Sequence, residues 1–145
     1  MSYILLSPII AGLIAQTIKF LIKTNKQNLK FRNLLAYSGM PSGHSAMVVG
    51  LASIAGLEQG WNSPLFAVTV ILAVVVIRDA LGIRRYLGKH GKTLNILIKD
   101  LGEDKMLDED YPHLLEHVGH TPAQVLVGGA IGLIVSLAFF YLHLL

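Results

Sequence analysis

Met40-Pro41-Ser42-Gly43-His44-Ser45 opens an apolar segment, and its residue types fit the entry of a helix that can hold an anion. Ser42 suits the N-cap, and Gly43 lets the backbone come close to a ligand. The unbonded N–H groups of the first turn carry the positive end of the helix dipole. His44 then falls in that first turn, beside whatever those amides hold. A second entry of the same kind stands at Gly119-His120-Thr121-Pro122-Ala123-Gln124. Thr121 is an N-cap candidate, Pro122 fits the first helical position, and Gln124 completes a Thr-x-x-Gln capping box. Either histidine alone is compatible with a capped helix and a surface imidazole. The pair, in a chain this apolar, points to one phosphate site.

Composition sets the surroundings of that site. Of 145 residues, 53% are hydrophobic and 14% charged, against about 25% charged in an ordinary soluble domain. The expectation is a single membrane-embedded domain over residues 1–145, with no nucleic-acid partner. The sequence has no cysteine. Disulfides, thiolate metal sites and cysteine nucleophiles are therefore excluded, and the redox compartment is left open.

Ile4 to Ile22 is an apolar run close to the ~20 residues that cross a bilayer as a helix. A cleaved signal peptide is the competing reading, but no basic run precedes it and no small-x-small site follows. Gln16, Lys19 and Lys23 fall at helical spacing, and Lys26 and Lys30 continue the stripe if the helix runs on. Most of these lysines fit snorkelling to anionic headgroups, and Lys19 is the deepest. Ser42 to Gln59 is a second, short span. Gly60-Trp61-Asn62-Ser63-Pro64 makes a turn with an interfacial tryptophan. The third span runs from Leu65 to about Leu81 and ends in Arg78-Asp79, charges that are costly at a membrane helix end unless paired or functional.

Gly82 to Gly119 is the long polar connection. Arg78, Arg85 and Lys89 share a face if the third helix continues past Gly82. Lys92 to Leu101 reads as an amphipathic turn or two on the membrane surface. Glu103 to Asp110 is acidic and irregular. The fourth span, Ala123 to Leu145, carries Gly128-x-x-x-Gly132, compatible with tight packing inside the chain or with a homodimer. The fold class is thus all-α, an integral membrane bundle of about four spans with a long polar loop carrying short surface helices.

Four crossings put both histidine motifs on one side. Outside the spans, Lys23, Lys26, Lys30, Arg32, Arg84, Arg85, Lys89, Lys92, Lys99 and Lys105 all fall on that side, and none on the other. The positive-inside rule therefore turns the histidine motifs towards the cytoplasm. A three-span arrangement, with the second segment re-entrant, would part the two motifs. A different reading of His113, His117 and His120, at i, i+4, i+7 beside Glu116, is a metal site. Pro122 and the Thr121 cap argue against it by placing His120 outside the preceding helix, so no metal is expected.

At Pro41-Ser42-Gly43-His44 and Gly119-His120-Thr121-Pro122 the chain resembles the type-2 phosphatidic acid phosphatase superfamily, which includes vanadium haloperoxidases. More closely, it resembles the small, divergent bacterial and plant branch described as acid phosphatase/vanadium-dependent haloperoxidase-related. Arg78-Asp79-Ala80-Leu81-Gly82-Ile83-Arg84-Arg85 and the following Leu94-Asn95 extend the similarity over most of the chain. The resemblance implies a phosphoric monoester or diphosphate hydrolase that acts on a membrane lipid or isoprenoid phosphate without cofactor or metal. It also implies a bacterial inner-membrane location. His120 would be the nucleophile and His44 the general acid. Ser42, Gly43, Lys19, Arg84 and Arg85 would bind the phosphate, with Gln124 orienting His120.

The chain departs from the superfamily pattern in three places. Gln124 stands where the motif has an Asp, Leu114 where it has an Arg, and no Lys followed seven residues later by Arg-Pro is present. Lys19 or Lys23, with Arg84 and Arg85, are the expected substitutes. The alternative is a non-catalytic phospholipid-binding or assembly protein that retains the anion pocket.

Overall fold

The computed structural model describes residues 3–22, 39–103, 111–116 and 118–144. Lys23, Lys26, Lys30, Arg32, Lys105, His117 and the acidic stretch at 104–110 lie outside the described residues. Among the described residues every regular element is an α-helix: α1 (Tyr3–Leu21), α2 (Gly43–Gln59), α3 (Pro64–Leu81), α4 (Ile83–Glu103) and α5 (Pro122–Leu144). The fold is an all-α membrane bundle.

Each helix start after α1 in the bundle has a local cause. Ser42 Oγ accepts from the Ser45 N–H at 3.3 Å and lies 3.0 Å from the Ser45 hydroxyl. Ser63 Oγ takes the Phe66 N–H at 3.2 Å, and Pro64 follows at the first helical position. At α5 the box closes in both directions, Gln124 N–H to Thr121 Oγ1 at 3.3 Å and Thr121 N–H to Gln124 Oε1 at 3.0 Å. These bonds satisfy N–H groups that a helix start leaves without internal partners.

Three helical stretches, Tyr3–Leu21, Pro64–Gly102 and Pro122–His143, are long and apolar enough to cross a membrane. The apolar part of the second is α3. At 17 residues α2 is shorter, and it sits inside, packed on α1, α3 and α5. Large apolar side chains such as Leu5, Leu13, Val68, Ile71, Leu126 and Ile134 point outward, as lipid-facing groups do. The inside is built of small residues: Ala11, Ala15, Ala46 and Val135 form the core.

Gly128 and Gly132 meet the Ser42 and Ala46 carbonyls so closely that a β-carbon at either would overlap them. The small-residue stripe of α5 is therefore used by α2 of the same chain. Polar contacts reinforce the packing. Ser136 Oγ lies 2.8 Å from the Gly50 carbonyl, 2.9 Å from that of Gly132 and 3.0 Å from Ser7 Oγ, joining α1, α2 and α5.

The C-terminal ends of α1 and α3 meet the N-terminal ends of α2 and α5 at one end of the bundle. There the Ser42 N–H bonds the Gln124 carbonyl at 3.0 Å and the His120 N–H bonds the Ala80 carbonyl at 2.9 Å. At the other end Tyr3 stacks on His143 with ring centroids 3.9 Å apart, and Trp61 packs edge-on against Phe66.

The polar connection differs from the sequence expectation in one respect. Instead of a turn or two, α4 is one helix of 21 residues. It is separated from α3 at Gly82, whose φ of −102° and ψ of −94° break the path, so Arg78, Arg85 and Lys89 do not share one continuous face. Ile83, Leu87, Leu94 and Leu97 line one exposed side of α4 and Arg85, Lys89, Lys92 and Lys99 the other.

A third face, with Gly88, Gly91 and Asn95, carries the non-helical segment that leads to His120. A β-carbon on Gly91 would stand 2.7 Å from the Leu115 carbonyl oxygen, and one on Gly88 3.1 Å from the Val118 nitrogen. Beside them the Asn95 amide brackets Leu114. Its Oδ1 accepts the Leu114 N–H, and its Nδ2 donates to the Leu114 carbonyl and to Glu116 Oε1, each at 2.9 Å.

Candidate functional site

The meeting of the four bundle helices leaves a cavity of about 380 Å³. Gln16 and Lys19 come from α1, Gly43, His44 and Met47 from α2, Val76, Asp79 and Ala80 from α3, and Arg84 from the first turn of α4. Val118, Gly119 and His120 close it. Gly119 has φ +90°, a conformation that glycine reaches without a side-chain penalty, and it lies against the Arg85 backbone.

The two histidines face each other across this space, ring centroids 6.3 Å apart and tilted by 54°. His120 is buried at 8% exposure, whereas His44 stands open. The hydrogen bonds determine which nitrogen of His120 is available. The Thr121 N–H can only donate, so the Gln124 atom it meets is the oxygen. That same Oε1 lies 3.2 Å from His120 Nδ1, which must therefore carry the proton. Nε2 keeps its lone pair, on a ring that lines the cavity.

Burial pushes the His120 imidazole below the ordinary histidine range. The Gln124 hydrogen bond opposes this, while the charges of Lys19, His44 and Arg84 add to it. At neutral pH the ring is an uncharged base. Cations stand nearby: Lys19, and Arg84, whose Nε bonds Asp79 Oδ2 at 2.6 Å with both side chains partly exposed. The amino ends of α2 and α5 add two further sources of positive potential.

Of the residues singled out in the sequence, Lys19, Gly43, His44, Arg84 and His120 come together in the cavity, with Gln124 bonded behind His120. Ser42 does not line it. Its side chain is fully buried, and its hydroxyl caps α2. Arg85 is exposed and outside the cavity, because it follows Arg84 by a turn of about 100° around α4. Lys23 lies outside the described residues. His113 lies 3.7 Å from Glu116 and beside Asn95, on the α4 side of the segment rather than with His120. Among the described residues no three His, Asp or Glu side chains converge as metal ligands.

Sequence alone did not assign Asp79 and Gln16 to the site. Asp79 carried a signal, a charge at the end of an apolar span, but its partner Arg84 lies beyond a helix break. Gln16 shares the helical stripe of Lys19, and its side chain lies against Gly43.

Compared with known proteins, the chain matches the model of the Divergent PAP2 family over residues 1–135. It is 35% identical over 147 aligned positions to the uncharacterized membrane protein YuiD of Bacillus subtilis (strain 168), with 94% of this chain and 93% of that protein covered. No solved structure matches the chain.

Proposed function

Since the chain belongs to the Divergent PAP2 family, we propose that it is a membrane phosphatase that removes phosphate from a lipid or isoprenoid phosphate by way of a phosphohistidine. The observation that carries this reading is the pair His44 and His120, 6.3 Å apart on one cavity that also holds Lys19 and Arg84.

In the proposed reaction His120 Nε2 attacks phosphorus, and the bond from phosphorus to the leaving oxygen breaks. Protonated His44 gives its proton to that oxygen. Lys19, Arg84 and the α2 amides beginning at Gly43 offset the charge on the equatorial oxygens. Water then attacks the phosphohistidine, returns a proton to His44, and releases phosphate. The apolar residues Ile9, Leu13 and Val76 on the same cavity suit a substrate whose chain stays in the bilayer. The basic face of α4 supports placing this end of the bundle at the cytoplasmic surface of a bacterial inner membrane.

Gln124 supports a second reading. It accepts a hydrogen bond from Nδ1–H but brings no charge to stabilise an imidazolium, so a phospholipid-binding protein with the same anion pocket is the competing function. The two separate in one experiment. Detergent-purified protein is given phosphatidic acid, phosphatidylglycerol phosphate and isoprenoid phosphates and diphosphates, with EDTA present. Phosphate release that His44→Ala and His120→Gln both abolish establishes the phosphatase. No release from folded protein, with retained binding of the same lipids, establishes the binding protein.

A further inference from the structure

Residues 111–116 and 118–120 form no helix or strand, and α4 supplies both backbone partners of Leu114. Asn95 meets Leu114 as a neighbouring strand would, accepting its N–H and donating to its carbonyl, and its second N–H goes to Glu116 Oε1. Both donors and the acceptor of one amide are thereby used. Gly88 and Gly91, on the same side of α4, let the backbone of Leu115, Glu116 and Val118 lie directly on the helix. Downstream, Gly119 rests on the Arg85 backbone and His120 N–H is held by Ala80. The helix that contributes Arg84 to the cavity is thus also the support of the segment that delivers His120.

We propose that Asn95 is a positioning residue for His120, which holds the Leu114–Glu116 backbone on α4 so that the imidazole stands opposite His44. The bundle itself does not depend on this clamp. α1, α2, α3 and α5 pack through their own small residues and through Ser7 and Ser136, and among the described helices α4 packs chiefly against α3. Partly exposed hydrogen bonds of this kind contribute little to folding, because water replaces them when they open. Their loss therefore leaves the bundle standing and moves the nucleophile. Aspartate cannot replace Asn95, since it brings no donor for the Leu114 carbonyl and sets a like charge against Glu116.

The catalytic part of this inference rests on the phosphatase reading, so the test has two readouts that do not. The cysteine-free full chain takes a nitroxide at Leu115→Cys, an exposed position at 58%. The His120 imidazole is followed in an ¹⁵N-histidine titration, its signal identified by its loss in His120→Gln. Asn95→Ala is expected to mobilise the label and raise the His120 midpoint towards the ordinary histidine value as water enters. It is also expected to lower kcat about tenfold to a hundredfold while KM stays within about twofold, because Lys19 and Arg84 are untouched.

Asn95→Asp is expected to act likewise. Asn95→Asp combined with Glu116→Gln is expected to recover part of the loss, since the amide so introduced donates to the new carboxylate. If Asn95→Ala does not fold, the comparison of these two variants decides the matter. An immobile label, or a mobile label with an unchanged His120 titration, overturns the clamp. Absent turnover in the unaltered chain overturns the phosphatase reading, and the label and titration still decide on Asn95.

Discussion

A single oxygen, Oε1 of Gln124, accepts from both the Thr121 N–H and the His120 ring, and so joins the start of α5 to the tautomer of the buried histidine. Burial lowers the His120 pKa, and the proposed nucleophile must be unprotonated. The acid limb of the pH dependence of kcat/KM is therefore expected below the ordinary histidine range of about 6.5. Gln124→Asp would add an opposing charge, raise the His120 pKa and move that limb upward by about one pH unit. An unmoved limb would mean that another group controls it. At this scale much of the site was legible. His44 and His120 announced themselves by their helix entries and Lys19 by its charge deep in an apolar run, whereas Arg84, in the polar connection, was expected only as a substitute for an arginine of the resembled superfamily. Ser42 and Arg85 were assigned to the phosphate because residue type does not reveal direction: one hydroxyl turns into its own cap and one guanidinium turns a helical step away. Asn95 was quoted only within a resemblance, since its partners lie 19 and 21 residues onward with no periodic pattern between them.

Among the elements, α5 has the closest fit, with glycines against α2 and Ser136 between three helices. Ser136→Ala is expected to destabilise the bundle by about 1 kcal/mol, in line with interhelical hydrogen bonds in membranes. Gly132→Leu is expected to cost more, about 2–3 kcal/mol or complete loss of packing, because the Ala46 carbonyl has no room to yield. Reversible unfolding in mixed micelles measures both. The boundaries of α1, α2, α3 and α5 followed from apolar length, from Ser42 and Thr121 as caps, and from the turn at Gly60–Pro64, in which the Ser63 cap went unread. α4 was read as a loop with short helical pieces. Gly88, Gly91 and Gly102 lower its intrinsic helicity, and the packing of the Leu115, Glu116 and Val118 backbone on that glycine face is a tertiary contact that no local window contains.

For the whole molecule, the arrangement of ends predicts sidedness. In the cysteine-free chain, Arg85→Cys is expected to react with a membrane-impermeant maleimide only from the cytoplasmic side, and Asn62→Cys only from the other. Labelling of both from one side would contradict an odd number of crossings between them and the bundle described above. The cavity, at the end of the bundle where α1 and α3 finish, also has two kinds of wall. Leu13 is 61% exposed on the lipid-facing side of α1 and yet borders the same space as Arg84 and His120. The phosphate ester and the hydrolytic water would then arrive from different phases, one by two-dimensional diffusion and one from bulk. Turnover should accordingly follow the mole fraction of substrate in the bilayer, slowing on surface dilution with inert lipid even when its bulk concentration is held constant.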